Sequence, residues 1–286
     1  MQIPAPFDYA RATSVDDALA LLQQRGPEAR LVAGGHSLLP MMRLRFARPE
    51  CLIDINGVTE LDFLTREDDV LRVGAMTRHA TLLASAEVGR LFPIVHDAER
   101  VIADPLVRNR GTIGGSLCQA DPAEDLSTVC DVLRATAVVR GVGGERTLTM
   151  PQLHRGPYET AVEPDEVLTE VRFPITGRAG SAYEKFEGRV GDWAVAAAGA
   201  AVVLADDGSL ADLAVGLTAV GLDGLVDTAD LLGRRPDEDL FAAAGRLAAE
   251  ASDPVADQRG PVDYKRHLAD ELTRRVVRRA CARAGA

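Results

Sequence analysis

The chain has 286 residues, 47% of them hydrophobic, and a formal net charge of −11. That length supports one large or two modest domains with a buried core, and the acidic balance argues against nucleic-acid binding, which calls for a basic surface. Cys51, Cys118, Cys130 and Cys281 form no C-x-x-C pair and the five histidines fall at no metal-ligand spacing, so zinc or iron–sulfur ligation within the chain is not expected.

The amino terminus has no basic region followed by an apolar stretch, and no apolar run is long enough to span a bilayer; the expectation is a soluble cytoplasmic protein. Ser14, followed by Asp16, Asp17 and the apolar Leu19, Leu21 and Leu22, predicts a capped amphipathic helix. Leu31 and Val32 read as a short strand entering a glycine turn, Ala33-Gly34-Gly35-His36-Ser37-Leu38. Strands follow at Leu52–Ile55 and Val70–Val73, then a helix through Leu83 capped by Thr77, and a helix over 94–103 that ends before Asp104-Pro105.

A second glycine turn, Arg110-Gly111-Thr112-Ile113-Gly114-Gly115-Ser116, precedes a helix from Leu126 to Ala135. Ala137–Val139 and Val167–Phe173 read as strands, and Thr176–Ser181 as a linker. Beyond it, Ala200–Leu204 and Leu213–Leu217 predict a hairpin around Asp206-Asp207-Gly208. Tyr264–Arg283 reads as a helix whose Arg274, Arg275, Arg278 and Arg279 form a solvated basic face. The expected organisation is α+β, with one domain over 1–177 and a smaller one over 178–286.

The two glycine turns carry most of the chemical information. Each sets paired glycines beside a hydroxyl residue, so that backbone approaches a ligand closely while N–H groups and a short O–H point at phosphate oxygens. Together they suggest a two-sided clamp for a pyrophosphate. The same glycines also suit tight turns, and Ser37 and Ser116 read equally as helix caps. No G-x-G-x-x-G opens a helix after a strand and no Gly-Lys-Ser/Thr is present, which disfavours a nicotinamide or triphosphate site.

Ala33-Gly34-Gly35-His36-Ser37, Thr112-Ile113-Gly114-Gly115-Ser116 and the downstream run from Lys185 to Trp193 resemble, in order and over essentially the whole chain, the FAD-binding medium subunits of molybdenum hydroxylases, most closely those of the aerobic carbon monoxide dehydrogenase type. The resemblance implies a two-subdomain FAD-binding region of the PCMH/VAO type followed by a smaller α+β domain, with FAD bound non-covalently in a cleft. It places cofactor contacts at Leu31, Val32, Ala33, Gly34, Gly35, His36, Ser37 and Leu38, and at Thr112, Ile113, Gly114, Gly115 and Ser116. Ile102 and Leu168 match flanking positions, although apolar residues there also serve simply as core.

Asp125 falls where the family places a carboxylate that accepts from the ribose or adenine part of FAD. On sequence alone it reads equally as an N-cap, with Asp121 and Glu124 as neighbouring alternatives. Lys185 matches a cation near the flavin ring or a phosphate, and Asp192 and Trp193 close the same motif, the indole suiting either flavin contact or packing. No catalytic residue and no metal ligand is expected in this chain, because the isoalloxazine carries the redox chemistry.

The implied function is electron transfer. A small partner with two [2Fe-2S] clusters would deliver electrons, a large molybdopterin-binding partner would oxidise the substrate, and this chain would pass electrons to quinone or dioxygen, the whole forming a dimer of heterotrimers, a heterohexamer. The competing reading is a self-contained FAD oxidase or dehydrogenase with its own organic substrate, for which the segment after the linker is small.

Overall fold

The structure is a computed structural model that describes residues 3–177, 179–221 and 224–285. In chain order its elements are β1 (Asp8–Arg11), α1 (Val15–Arg25), β2 (Ala29–Val32), α2 (Leu38–Arg43), β3 (Cys51–Asp54), β4 (Leu64–Glu67), β5 (Val70–Gly74) and α3 (His79–Ala84). There follow α4 (Ala86–Leu91), α5 (Pro93–Val101), α6 (Pro105–Arg108), α7 (Ile113–Gln119), α8 (Asp125–Val132), β6 (Thr136–Gly141), β7 (Gly144–Thr149) and α9 (Met150–Leu153). The last are β8 (His154–Gly156), β9 (Glu159–Thr160), β10 (Val167–Pro174), β11 (Ala179–Glu187), β12 (Ala194–Leu204), β13 (Leu210–Thr218), α10 (Glu238–Ala251) and α11 (Val262–Ala284).

These elements gather into two compact units. The first takes residues up to Thr81, Pro105–Ala120 and Thr136–Phe173; the second takes Leu82–Asp104, Asp121–Ala135 and the chain from Pro174 onward.

In the first unit β1, β3 and β2 pair in parallel, with β3 central. A five-stranded sheet runs β4-β5-β10-β6-β7. Helix α1 begins as its sequence predicts: the Ser14 hydroxyl accepts from the Asp17 N–H at 3.0 Å. Its Val15, Ala18, Leu19 and Leu22 are buried in one cluster with Ile53 of β3, each large side chain contributing about 1.5–3 kcal/mol by leaving water. Thr77 does not cap α3. Thr77 is fully buried and its hydroxyl donates to Phe63 O at 2.9 Å, so the hydroxyl is satisfied away from water.

The second unit is built on the antiparallel sheet β11-β12-β13. A Cβ at Gly180 would lie 2.1 Å from Ala280 O of α11, whereas one at Gly199 would meet Ile94 of α5 and Thr128 of α8. Gly180 pairs with Val202 and Gly199 with Tyr183, positions of opposite parity along the strands, so helices cover both faces. That explains the alanine-rich run of β12. A strand buried on both sides needs no alternation, and for that reason β12 starts at Ala194, six residues before the hairpin strand expected from Ala200. Of the expected linker, Arg178 lies outside the described residues, and Ala179–Ser181 belong to β11. The arginines near the end of α11 are paired: Arg274 with Asp270, Arg275 with Glu271 and Glu184, Arg278 with Glu238, and Arg279 with Glu184.

Candidate functional site

The sequence-derived site residues fall into two groups, one in each unit. In the first unit, β2 carries Leu31 and the buried Val32 up to the first glycine segment. A Cβ on Gly34 would stand 2.4 Å from Arg110 O, so this position must be glycine for the two glycine segments to touch. Gly35 has φ +77, the left-handed region in which a side chain is strained. Among the described residues, none of the backbone N–H groups of Gly34, Gly35, His36 and Ser37 donates to a protein acceptor. Ser37 precedes α2 but its hydroxyl makes no cap bond, so the capping role fails there. Four successive N–H groups and a hydroxyl are thus left for an anionic ligand, as in the backbone concavities that hold phosphates. The His36 side chain is exposed and Leu38 opens the helix.

The second segment is built differently from the expected turn. Ile113, Gly114, Gly115 and Ser116 form the first turn of α7, and Thr112 caps it by accepting from the Gly115 N–H at 3.1 Å. Ile113 N–H donates to Thr77 O (3.1 Å), Gly114 N–H to Ala75 O (2.9 Å) and Ser116 N–H to Thr112 O (3.0 Å). The expectation that the N–H groups of Ile113, Gly114, Gly115 and Ser116 would face phosphate is therefore corrected: the helix and the neighbouring strand end already use them. What remains is the Thr112 hydroxyl, which accepts a bond but keeps its own proton to donate, and the half-buried Ser116, which lies inside α7 and caps nothing. Gly114 is pinned by packing, since its Cβ would lie 2.7 Å from Ala75. Leu168 is buried core on β10.

Asn56 and Arg78, which the sequence reading passed over, and Arg110, named there only as the start of the second glycine turn, assemble this place. Asn56 Nδ2 donates to Ala33 O at 2.7 Å, Arg78 Nη2 donates to Asn56 Oδ1 at 2.9 Å, and Arg110 Nη2 reaches the same oxygen at 3.4 Å. Arg78 Nη1 also donates to Arg110 O. Burial, and then the like charge of Arg110, depress the Arg78 guanidinium from its usual value; it remains a cation at any physiological pH.

In the second unit Asp125 is not the N-cap of α8. Glu124 caps it, its carboxylate accepting from Leu126 N–H at 2.9 Å and from the N–H and hydroxyl of Ser127. Asp125 is buried and accepts from Tyr183 Oη at 2.7 Å and Lys185 Nζ at 3.0 Å. Tyr183 and Thr128 in turn meet Thr218 Oγ1 at 3.1 and 2.7 Å. The Lys185 side chain is 1% exposed; its ammonium also donates to Val101 O (2.7 Å) and Asp192 O (3.2 Å) and lies 3.4 Å from Glu187 Oε2. Two carboxylates offset the cation that the motif supplies. Burial raises the Asp125 carboxyl against the opposing charge of Lys185, and burial pushes Glu124 up to about 7.

The same cluster fixes the loop that carries Trp193. Asp192 Oδ1 accepts from the Trp193 N–H at 2.8 Å, Arg259 Nη1 donates to Ala194 O at 3.0 Å, and Glu187 Oε1 accepts from Gly191 N–H at 3.0 Å. Gly191 has φ +79 and a Cβ there would stand 2.6 Å from Ala103 O. Trp193 itself is 44% exposed, an indole held by its backbone and left open at its ring. Ile102 ends α5. Among the described residues no group of three or more His, Cys, Asp or Glu is placed to hold a metal ion, and no helix is long and apolar enough to cross a membrane.

Residues 5–176 match the FAD binding domain in molybdopterin dehydrogenase, and residues 181–280 match the CO dehydrogenase flavoprotein C-terminal domain. The chain is 40% identical to the carbon monoxide dehydrogenase medium chain of Hydrogenophaga pseudoflava (98% of this chain, 99% of that one) and 39% identical to that of Afipia carboxidovorans (99% of each). Among solved structures, carbon monoxide dehydrogenase from Hydrogenophaga pseudoflava lacking the Mo-pyranopterin moiety of its cofactor superposes with a TM-score of 0.93 at 39% identity, over 98% of this chain and 99% of that one. These matches define a flavoprotein component of an oxidoreductase. The chain belongs to the family of medium FAD subunits of carbon monoxide dehydrogenase-type molybdenum hydroxylases.

The first-unit residues fit the pyrophosphate part of FAD. The open N–H row at Gly34–Ser37, the uncapped Ser37 hydroxyl and the bare Cα of the exposed Gly115 leave room and donors where phosphate oxygens need them.

Proposed function

We propose that this chain is the FAD-carrying electron-transfer subunit of a molybdenum hydroxylase complex, accepting electrons from [2Fe-2S] clusters on a small partner and passing them to an external quinone or dioxygen. The observation that carries the reading is the row of free N–H donors at Gly34–Ser37 within a chain related over its full length to carbon monoxide dehydrogenase medium chains. In the proposed arrangement Gly34–Ser37 hold the pyrophosphate through N–H groups, and the Ser37, Thr112 and Ser116 hydroxyls complete its hydrogen bonding. Leu31, Val32, Ala33, Leu38, Ile113 and Gly114 shape those segments, with Leu168 and Ile102 as apolar flanks. Asp125, Lys185 and Asp192 fix the loop that presents Trp193. FAD, bound non-covalently, supplies the exchange between one-electron and two-electron carriers.

The same reading assigns residues 1–177 to FAD binding and 178–286 to the C-terminal flavoprotein domain. It places the molybdenum cofactor on a large molybdopterin-binding partner and the clusters on a small one, in a cytoplasmic dimer of heterotrimers. Carbon monoxide is the substrate favoured by similarity. The test is direct: the full chain loaded with FAD fails to bleach its flavin with any candidate substrate, yet when chemically reduced it passes electrons to an artificial acceptor. Substrate-dependent bleaching of the isolated chain would instead make it a self-contained enzyme.

A further inference from the structure

The two glycine segments are far apart in sequence; Gly34 packs against Arg110 O, and the Arg78 and Arg110 side chains both reach Asn56, which holds Ala33 O. Residues 75–79 run beside the second segment: Gly114 N–H donates to Ala75 O, Ile113 N–H to Thr77 O, and His79 N–H to Gly111 O, with Arg78 bridged antiparallel to Thr112. From this rail the Arg78 side chain reaches outward. One nitrogen of its guanidinium donates to Arg110 O, the carbonyl against which Gly34 packs, and the other donates to Asn56, whose amide holds Ala33 O. The planar fork thus bonds at once to the backbone of the second segment and, through Asn56, to the residue before Gly34. No carboxylate pairs with Arg78 among the described residues, so an ion pair does not account for its placement.

We infer that Arg78 is a positioning residue that sets the spacing between the open N–H row at Gly34–Ser37 and the hydroxyls of Thr112 and Ser116, and thereby the affinity of the chain for the pyrophosphate of FAD. The inference rests on the proposed FAD role. A lysine has one charged centre and no planar fork, so it satisfies either Arg110 O or Asn56 Oδ1 but not both in the same geometry. The effect of Arg78 is carried by Ala33 and Arg110 and needs no contact with the cofactor.

The experiment titrates FAD onto the full-length apoprotein of wild type, Arg78→Met and Arg78→Lys by flavin fluorescence, and records ³¹P spectra of the bound pyrophosphate. The expected result is a Kd raised about tenfold in Arg78→Met, the size of one lost charge-assisted bond, with a smaller rise in Arg78→Lys. The ³¹P resonances of the bound cofactor should move toward those of free FAD. Unchanged affinity in folded Arg78→Met overturns the inference, as does weakened binding whose bound ³¹P signature is that of wild type, because that marks a general loss of stability. Should Arg78→Met fail to fold, Arg78→Lys decides by the same two readouts. A wild-type chain that takes up no FAD overturns the underlying reading, and this inference with it.

Discussion

Residues with the same chemistry have separate jobs here, and the geometry tells them apart. Ser37 and Thr112 both stand before a helix, yet only Thr112 caps one. Thr112→Ala should therefore lower the stability of the apoprotein by about 1 kcal/mol, the usual worth of a cap, whereas Ser37→Ala should leave its melting temperature nearly unchanged and weaken FAD binding several-fold. Thermal melts and FAD titrations on the two variants check this; a Ser37→Ala variant that melts like Thr112→Ala and binds FAD normally would return Ser37 to a capping role. Glu124 and Asp125 form a second such pair. Adjacent carboxylates at a helix start cannot be ranked from sequence, since the choice depends on which one faces the first-turn N–H groups and which faces Tyr183 and Lys185.

Glu124 also supplies a pH dependence. Its folded value, pushed to about 7 by burial, lies above the ordinary carboxylate value, so the folded chain holds a proton that the unfolded chain has released. Stability from this group is complete below about pH 4.5 and declines as pH rises toward 7, by up to about 3 kcal/mol. Denaturant melts from pH 5 to 7.5 should show wild type losing stability with pH relative to Glu124→Gln, which has no proton to lose. Parallel pH profiles would show that the carboxyl is already ionised at pH 5.

At the level of elements, the sequence announced α1, β2, β3, β5, α5, α8, β6, β10, the β12–β13 hairpin and α11, because capping residues, periodic apolar faces and proline or glycine stops act locally. It missed β1, whose residues are largely exposed, and the start of β12, whose burial on both faces removes the alternation that marks a strand. The strut through Asn56, Arg78 and Arg110 also left no trace, since bonds between residues 22 to 54 apart impose no spacing pattern. The Lys185–Trp193 run was legible as a motif but not as a buried ion cluster. Because Lys185 is enclosed with Asp125, Lys185→Met strands a buried carboxylate and should cost about 3–5 kcal/mol. Lys185→Met combined with Asp125→Asn should recover much of that loss. Chemical denaturation of the single and double variants decides: additive losses would mean that the two groups act independently.

For the whole molecule, similarity to carbon monoxide dehydrogenase medium chains runs over 98–99% of the chain, and the chemistry of the first glycine segment is what makes it a flavin carrier in the proposed function. The most direct test is equilibrium binding of FAD to the refolded, cofactor-free chain, followed by acid precipitation to release the flavin. One FAD per chain is expected, released intact because it is not covalently bound, with loss of uptake in Gly35→Asp, which sets a carboxylate beside the N–H row at a position of φ +77. A folded wild-type chain that remains colourless, or a folded Gly35→Asp variant that binds FAD one to one, would overturn the assignment of the first glycine segment to pyrophosphate binding.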